Sequence, residues 1–343
     1  MTPTIRDVAK LAGVANGTVS RAFNGYADIS PETKLKIFAA AKELGYTPNV
    51  IARSLSSKNS TSIGLIVSGL LEGDKRDNQI YRVLQGVFQY SMSHGIEVSV
   101  YATDSKNQQS KSYATFCTEH NIAGAILSGI TLNDPYFHEL VDSEFPCVVI
   151  DTFIDSKNYG CVSIDNFEAS KEVVQYLWKN NHRKIMIIGG KKNAQVSLER
   201  IAGAYEAFQE FGVTLERDSV MDCDFSEEIA YAKTMQYLVE KGKSECTAFM
   251  CFSDIMALGV CRAIRECGYS VPDDFSVTGF DGLALTAYTH PPITTIEQDM
   301  SKIGYESAAL LQKLMKHNCK TRRIYVPYCF LQRESVRTLA GTQ

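Results

Sequence analysis

From residue 63 onward the chain alternates short apolar runs with amphipathic stretches, and few folds accept that rhythm. The runs are IGLIVS (63–68), IEVSVYA (96–102), GAILS (124–128), CVVID (147–151), KIMIIGG (184–190), AFMCFSD (248–254) and FSVTGFD (275–281). Each has the length of a strand buried on both faces of a parallel sheet. Helical periodicity fills most of the gaps, at 80–94, 167–180, 200–211, 226–241 and 254–267. Strand–helix alternation implies parallel sheets flanked by helices, an α/β architecture. The segment 144–166 parts two similar batches, so two lobes are expected rather than one large sheet.

The 343 residues suffice for a small domain plus this larger body. No stretch reaches the roughly 18 apolar residues of a membrane-spanning helix. The opening MTPTIRDVAKLAG has an early acid and no apolar run, unlike a secretory signal. Ten cysteines, all after residue 116 and without a Cys-x-x-Cys pair, read as reduced thiols packed in a core. A cytoplasmic location follows as an expectation. The formal net charge of −4 hides an asymmetry. Residues 1–60 hold eight bases (Arg6, Lys10, Arg21, Lys34, Lys36, Lys42, Arg53, Lys58) against four acids (Asp7, Asp28, Glu32, Glu43), or +4, which leaves −8 for the rest. A basic head on an acidic body fits a nucleic-acid contact confined to one end.

The head reads as three short helices. Thr4 is placed to cap the first, with Asp7 three residues on, and Gly13 stops it. Ile5, Val8, Ala9 and Ala12 form its apolar face. A second helix spans about 16–23 with Val19 and Phe23 on one side, broken by Asn24-Gly25. Ser30 caps a third, Pro31 opens it, Gly45 follows its end, and Leu35, Phe38, Ala41 and Leu44 are its expected stripe. A helix, a glycine-containing turn and a second helix make a helix-turn-helix, whose second helix fits a DNA major groove. Asn16, Gly17, Thr18 and Ser20 would then face bases and phosphates, and Arg21 would reach a guanine edge or a phosphate. An ordinary three-helix bundle with a solvated polar face satisfies the same periodicity.

The residues D-V-A-x-x-A-G-V (7–14), T-V-S-R (18–21), N-G (24–25), L-G-Y-x-P-N (44–49) and A-R-S-L (52–55) tip that balance. In this order they closely resemble the N-terminus of the LacI/GalR repressor family. The likeness continues more loosely through S-I-G-L-I-V (62–67), D-F-S-E-E (224–228), M-A-L-G (256–259), G-F-D (279–281) and P-P-I-T-T-I-x-Q-D (291–299). It implies three parts: a helix-turn-helix domain over 1–47, a hinge helix and linker over 48–61, and a two-lobed, periplasmic-binding-protein-like core over 62–343. The first lobe is expected at about 62–163 and 296–325, the second at about 164–293 and 326–343. The resemblance also implies that NVIARSLS (49–56) folds as a hinge helix only on operator DNA, two copies entering the minor groove with Leu55 as the wedge. Its implied DNA contacts are Thr4, Asn16, Gly17, Thr18, Ser20, Arg21, Asn24, Asn49, Ala52, Arg53 and Leu55. So short a helix falls below the roughly 12–15 residues that hold a lone helix in water, so DNA and partner contacts must order it. Ala15 departs from the family's Ser or Thr cap, and a cap at Asn16 instead would shorten the recognition helix.

Ser128, Asp151, Ser253 and Asp281 close apolar strands, the rim where parallel α/β sheets bind ligands. Arg200 begins the helix after KIMIIGGKK and its loop, near the same rim. Two carboxylates and a guanidinium suit a polyhydroxylated ligand. By resemblance Arg200 and Asp281 match the family's principal sugar-binding pair, and Asp151, Ser128, Ile80 and Phe225 fall at further pocket positions. Ser253 stands where the family commonly has Asn.

There is no Walker A motif, no G-x-G-x-x-G and no G-x-S-x-G, and the histidines lack metal spacing. No catalytic residue, metal or cofactor is expected. The chain reads as an allosteric regulator, in the family's pattern a repressor, with operator DNA, a sugar or sugar derivative and a second copy of itself as partners. A sugar receptor without DNA function and an α/β enzyme are the rival classes. Some family members answer instead to a phosphorylated carrier protein. The last thirteen residues carry no leucine heptads, so a dimer is expected.

Overall fold

The structure is a computed structural model, described for residues 3–23, 26, 28–46, 62–70, 79–243, 245–317, 319 and 322–340. The chain divides into two compact units, Met1–Thr61 and Ser62–Gln343.

In the first unit, α1 (Ile5–Ala12), α2 (Asn16–Phe23) and α3 (Pro31–Leu44) enclose a small core of Val8, Ala9, Val19, Ala22, Ile37, Ala40 and Ala41. The Ser30 hydroxyl caps α3 by accepting from Thr33 N–H at 3.2 Å. Gly45 closes the helix at φ +63°, a left-handed turn that favours glycine. The apolar stripe of α3 differs from expectation. Leu35 and Phe38 are 71% and 43% exposed, and the buried face runs through Ile37, Ala40 and Ala41. Those three plus Leu44 keep the i, i+3, i+4, i+7 spacing of a helix face, so two large apolar side chains lie on the solvent side of that stripe.

The second unit runs β1 (Ser62–Ser68), α4 (Gln79–His94), β2 (Glu97–Thr103), α5 (Ser105–Ser110), α6 (Tyr113–Glu119), β3 (Ala125–Ser128), α7 (Pro135–Leu140), β4 (Cys147–Ile150) and β5 (Tyr159–Ser163). It continues with α8 (Asn166–Lys179), β6 (Ile185–Gly189), α9 (Gln195–Glu210), β7 (Val220–Asp222), α10 (Glu227–Lys241), β8 (Ala248–Cys251), α11 (Asp254–Glu266), β9 (Ser276–Asp281) and β10 (Thr294–Gln298). It ends with α12 (Met300–Met315), β11 (Arg323–Tyr325) and β12 (Tyr328–Leu331). One sheet has the order β11-β5-β4-β3-β1-β2 and the other β12-β10-β9-β8-β6-β7. All neighbours are parallel except β12, which runs antiparallel to β10.

Strand alternation divides the first lobe's core. Ile63, Leu65 and Val67 point to the α4 and α12 face, while Ile66 joins Tyr113, Tyr136 and Tyr159 on the other. On the first face α4 and α12 touch backbone to backbone, which only glycine permits. A Cβ on Gly86 would lie 1.8 Å from Ser301 O, and one on Gly304 would lie 2.1 Å from Val83 O. The chain crosses between lobes three times, between β5 and α8, between β10 and α12, and between β11 and β12. The middle crossing falls after Gln298 rather than between 293 and 296, because the polar strand β10 belongs to the second sheet. Among the described residues no helix is long and apolar enough to cross a membrane. Six cysteines are buried, and burial pushes the Cys117 thiol up to about 11 and that of Cys246 to about 12.

Candidate functional site

Two surfaces concentrate polar side chains that packing does not consume. The first lies on the small unit. There the Asp7 carboxylate accepts from Thr4 N–H at 2.8 Å and from the Thr4 hydroxyl at 2.7 Å, and these bonds hold its carboxyl below the usual range. Gly13 then turns the chain at φ +67°. Helix α2 starts at Asn16, and the Ala15 carbonyl accepts from Thr18 and Val19 N–H. Asn16 is therefore inside the helix, whose start at Asn16 matches the sequence pattern, and Ala15 holds the cap position, so the alternative of a cap at Asn16 is not the one adopted. Val19 and Ala22 turn inward, while Asn16, Gly17 and Arg21 are exposed and Thr18 and Ser20 half-buried. A Cβ on Gly17 would meet nothing within 4 Å, which leaves open space beside this backbone. Arg21 pairs with Asp28 and lies 5.4 Å from the Tyr26 ring centroid. Asn24, Asn49, Ala52, Arg53 and Leu55 lie outside the described residues.

The second surface is a cavity of about 820 Å³ at the carboxyl ends of the strands in both sheets. All seven residues singled out from the sequence line it: Ile80, Ser128, Asp151, Arg200, Phe225, Ser253 and Asp281. Arg200 sits in the second turn of α9, since that helix begins at Gln195 and not at Arg200 itself. Its side chain is 3% exposed. Its Nε donates to Asn166 Oδ1 at 2.9 Å, Nη1 donates to the Phe252 carbonyl, and the guanidinium carbon lies 3.6 Å from the Phe280 ring centroid. Asn166 donates in turn to Ser163 Oγ at 3.1 Å, and Ser163 donates to Asp151 Oδ1 at 2.6 Å. An unbroken relay of hydrogen bonds thus joins the arginine of one lobe to the carboxylate of the other. Burial draws the Arg200 guanidinium below its usual range, opposed by Asp281 and Asp151. Burial raises the Asp151 carboxyl, opposed by Ser163 and Arg200.

Backbone strain gathers at the same place. Asp151, Asp224, Phe225 and Asp281 have φ of +65°, +53°, +59° and +112°, and each lines the cavity. Positive φ costs about 1–3 kcal/mol in a non-glycine residue and persists where the surroundings enforce it, as at ligand clamps. The Phe225 ring lies against the Gly190 backbone, where a Cβ would sit 2.1 Å from a ring carbon. Ser253 serves partly as a helix cap, accepting from Met256 N–H at 3.2 Å. Residues that the sequence reading missed include Lys191, Gln195, Asp224 and Gln298. Gln298 lay inside the quoted P-P-I-T-T-I-x-Q-D motif, but its polar strand carried no apolar signal.

Asp254, beneath the cavity, fixes the turn that presents Asp281. Its Oδ2 accepts from Leu283 N–H at 2.6 Å and its Oδ1 from the Thr295 hydroxyl at 2.7 Å. A Cβ on Gly279 would lie 2.0 Å from Oδ1, so that position has room only for glycine. Burial pushes the Asp254 carboxyl up from 3.8 to about 7. The folded value exceeds the unfolded one, so the native state is penalised as pH rises from about 4 through about 7. Wild-type stability relative to Asp254→Asn, which cannot titrate, is expected to fall across that window and level off above it. Urea denaturation at about pH 4.5 and about pH 6, inside that window, and at about pH 8, above it, checks this; a constant difference between the two proteins contradicts it.

Comparison with known proteins adds kinship to this geometry. Residues 4–49 match the family described as bacterial regulatory proteins, lacI family, and residues 174–336 match the periplasmic binding protein-like domain. The HTH-type transcriptional repressor PurR of Aliivibrio salmonicida is 30% identical over 324 residues, 94% of this chain and 95% of that protein. The lac repressor dimer bound to operator and the anti-inducer ONPF superimposes with a TM-score of 0.82 at 25% identity, covering 98% of this chain and 100% of that one. The transcriptional regulator CelR, solved as a cellobiose complex, gives a TM-score of 0.74 at 26% identity, covering 97% and 99%.

Proposed function

The chain belongs to the lacI family of bacterial regulatory proteins and is a DNA-binding transcriptional regulator rather than an enzyme, and from that premise we propose how its two surfaces divide the work. Helix α2 of each of two copies enters the major groove of a pseudo-palindromic operator. Asn16, Thr18, Ser20 and Arg21 meet bases and phosphates, Gly17 lets the backbone come close, and Thr4 meets a phosphate. Asn24, Asn49, Ala52, Arg53 and Leu55 belong to the same interface, with Leu55 as the minor-groove wedge.

The cavity takes an uncharged polyhydroxylated effector, a sugar or sugar derivative. The observation that carries this reading is the convergence on one cavity of Arg200 and two carboxylates from different lobes. Such forked groups bracket adjacent hydroxyls. The lining holds Asp151, Asp224, Glu227, Glu228 and Asp281 against Lys191 and Arg200, an acidic excess that disfavours phosphorylated ligands. Ser128 and Ser253 add hydroxyls, and Phe225 and Ile80 supply apolar faces. The solved CelR complex with cellobiose is in keeping with this choice. The effector acts by binding the operator-competent and incompetent arrangements of the lobes with unequal affinity.

The test separates the two surfaces. Arg21→Ala is expected to cost about 1–3 kcal/mol of operator affinity per head and to flatten its salt dependence. Ligand-induced thermal stabilisation should stay unchanged, because the substitution lies in the other compact unit. Gel shifts at several salt concentrations and a thermal-shift panel of neutral sugars and sugar phosphates measure both. Unaltered operator binding by the variant overturns the interface. An operator complex that forms only with a phosphorylated carrier protein, with no ligand in the cavity, overturns the small-effector reading.

A further inference from the structure

We propose that the chain itself closes the α9 flank of the cavity, through a seam of polar bonds between the lobes in which Glu199, paired with Arg323, is the positioning residue, and that this seam is coupled to ligand binding. The coupling rests on the effector reading of the cavity; the seam does not. Its rungs follow the first sheet. Beyond β3, the Leu132 N–H donates to the Asn193 carbonyl at 2.8 Å, and Asn193 Nδ2 donates to the Thr131 hydroxyl at 3.2 Å. Beyond β4, the Phe153 N–H donates to Gln195 Oε1 at 2.9 Å. At the start of β11, Arg323 Nη2 donates to Glu199 Oε1 at 3.0 Å. The acceptors and Asn193 all belong to the leading turns of α9 and the loop before it. That segment of the second lobe therefore runs along the first sheet from its edge strand β11 to β3.

Glu199 organises the two inner rungs. Its Oε1 also accepts from Gln195 Nε2 at 2.9 Å, one helical turn away on the same face. An ionised carboxylate only accepts, so the amide nitrogen of Gln195 must face it, and the amide carbonyl is thereby turned to the Phe153 N–H. The guanidinium carbon of Arg323 lies 5.1 Å from the Phe153 ring centroid and 4.7 Å from that of Tyr325. One cation thus steadies both the carboxylate and the residue that supplies the next rung. The Glu199 and Arg323 side chains are 21% and 32% exposed, so solvent screens the pair less than it would a pair on the open surface. Thr131 and Gln195 line the cavity, whereas Glu199 and Arg323 stand outside its lining. Opening the cleft on this side breaks every rung, and a molecule held by both lobes opposes that opening. By linkage the seam and the ligand support one another.

Native-state amide hydrogen exchange of the full chain tests both parts. In Glu199→Gln the amides of Leu132 and Phe153 should exchange about tenfold faster than in the wild type, the worth of one charge-assisted bond. Arg323→Gln should do the same, and the double variant should be no faster than either, because one interaction has been removed twice. Amides of α10, which takes no part in the seam, should keep their wild-type rates. Should Glu199→Gln speed these too, through loss of folding, Arg323→Gln decides. Unchanged exchange at Leu132 and Phe153 in the variants overturns the seam and leaves the effector reading standing. For the coupling, the probe is the neutral sugar, from a panel that includes cellobiose, that raises the wild-type melting temperature most. At about 100 times its dissociation constant it should slow exchange at Leu132 and Phe153 up to about a hundredfold. Slowing confined to other amides overturns the coupling. Should no sugar stabilise the wild type, the effector reading and the coupling fall, while the exchange rates of the variants still decide the seam.

Discussion

Arg200→Met is expected to cost about 2–5 kcal/mol of ligand affinity and about 3–5 kcal/mol of stability at pH 7. The side chain is almost wholly buried, so methionine fills much of its volume, and the loss comes from charge and hydrogen bonds rather than from a void. Three partners are stranded at once: Asn166 Oδ1, the Phe252 carbonyl and the face of Phe280. Asp151, which burial already lifts, also loses the cation that draws its carboxyl down. Its folded value then rises further above the unfolded one, so the deficit grows with increasing pH and shrinks as pH falls towards 5. The chain's one tryptophan, Trp178, reports on this lobe directly, being stacked on Phe211 at 4.4 Å with Arg183 over its ring. Urea titrations followed by its emission at pH 5 and pH 7, with calorimetric ligand binding, test the expectation. A variant as stable as wild type at pH 7 would show that the relay through Asn166 and Ser163 is dispensable.

A single methyl group is expected to do comparable damage elsewhere. In Gly86→Ala the added carbon falls 1.8 Å from Ser301 O and 2.6 Å from Tyr305 N, both backbone atoms of α12. No rotamer relieves such a clash. Two helices must separate, and the first lobe's core opens beneath them. Overpacking costs about 1–3 kcal/mol and sometimes more; rigid backbone on both sides puts this case at or beyond the upper end. Gly304→Ala should behave alike, its carbon lying 2.1 Å from Val83 O. The control is Gly17→Ala on α2, where nothing lies within 4 Å and the better helix propensity should stabilise the head by up to about 1 kcal/mol. Soluble yield and thermal melts of the three variants decide the matter. Equal stability of Gly86→Ala and wild type would mean that the helices have room to part.

The sequence reading succeeded where local chemistry and tertiary context agree. The seven apolar runs fall on β1, β2, β3, β4, β6, β8 and β9; strands covered on both faces must be apolar throughout, and of these only the edge strand β2 is largely open to solvent. Their polar terminal residues were legible for the same reason: Ser128 and Asp281 interrupt hydrophobic runs. What escaped lacks that contrast. The strand β10, TTIEQ, is almost fully buried although only one of its five side chains is aliphatic, since neighbours and hydrogen bonds cover it. That concealed both the true crossing point and Gln298. The stripe on α3 failed differently. Two registers of apolar residues share that helix, and periodicity cannot tell which one the small core selects.

The triple passage of the chain between lobes bears on how the molecule is made. The half begun first is finished almost last: residues 62–163 leave the ribosome without α12, which covers one face of their sheet, and without β11, its edge. Nearly all of the other half, through residue 298, is synthesised before those pieces arrive. No uninterrupted stretch of codons encodes either half, so a truncation shortly after residue 298 would leave both unfinished, and the nascent first lobe must keep its exposed apolar face out of trouble until synthesis nears its end.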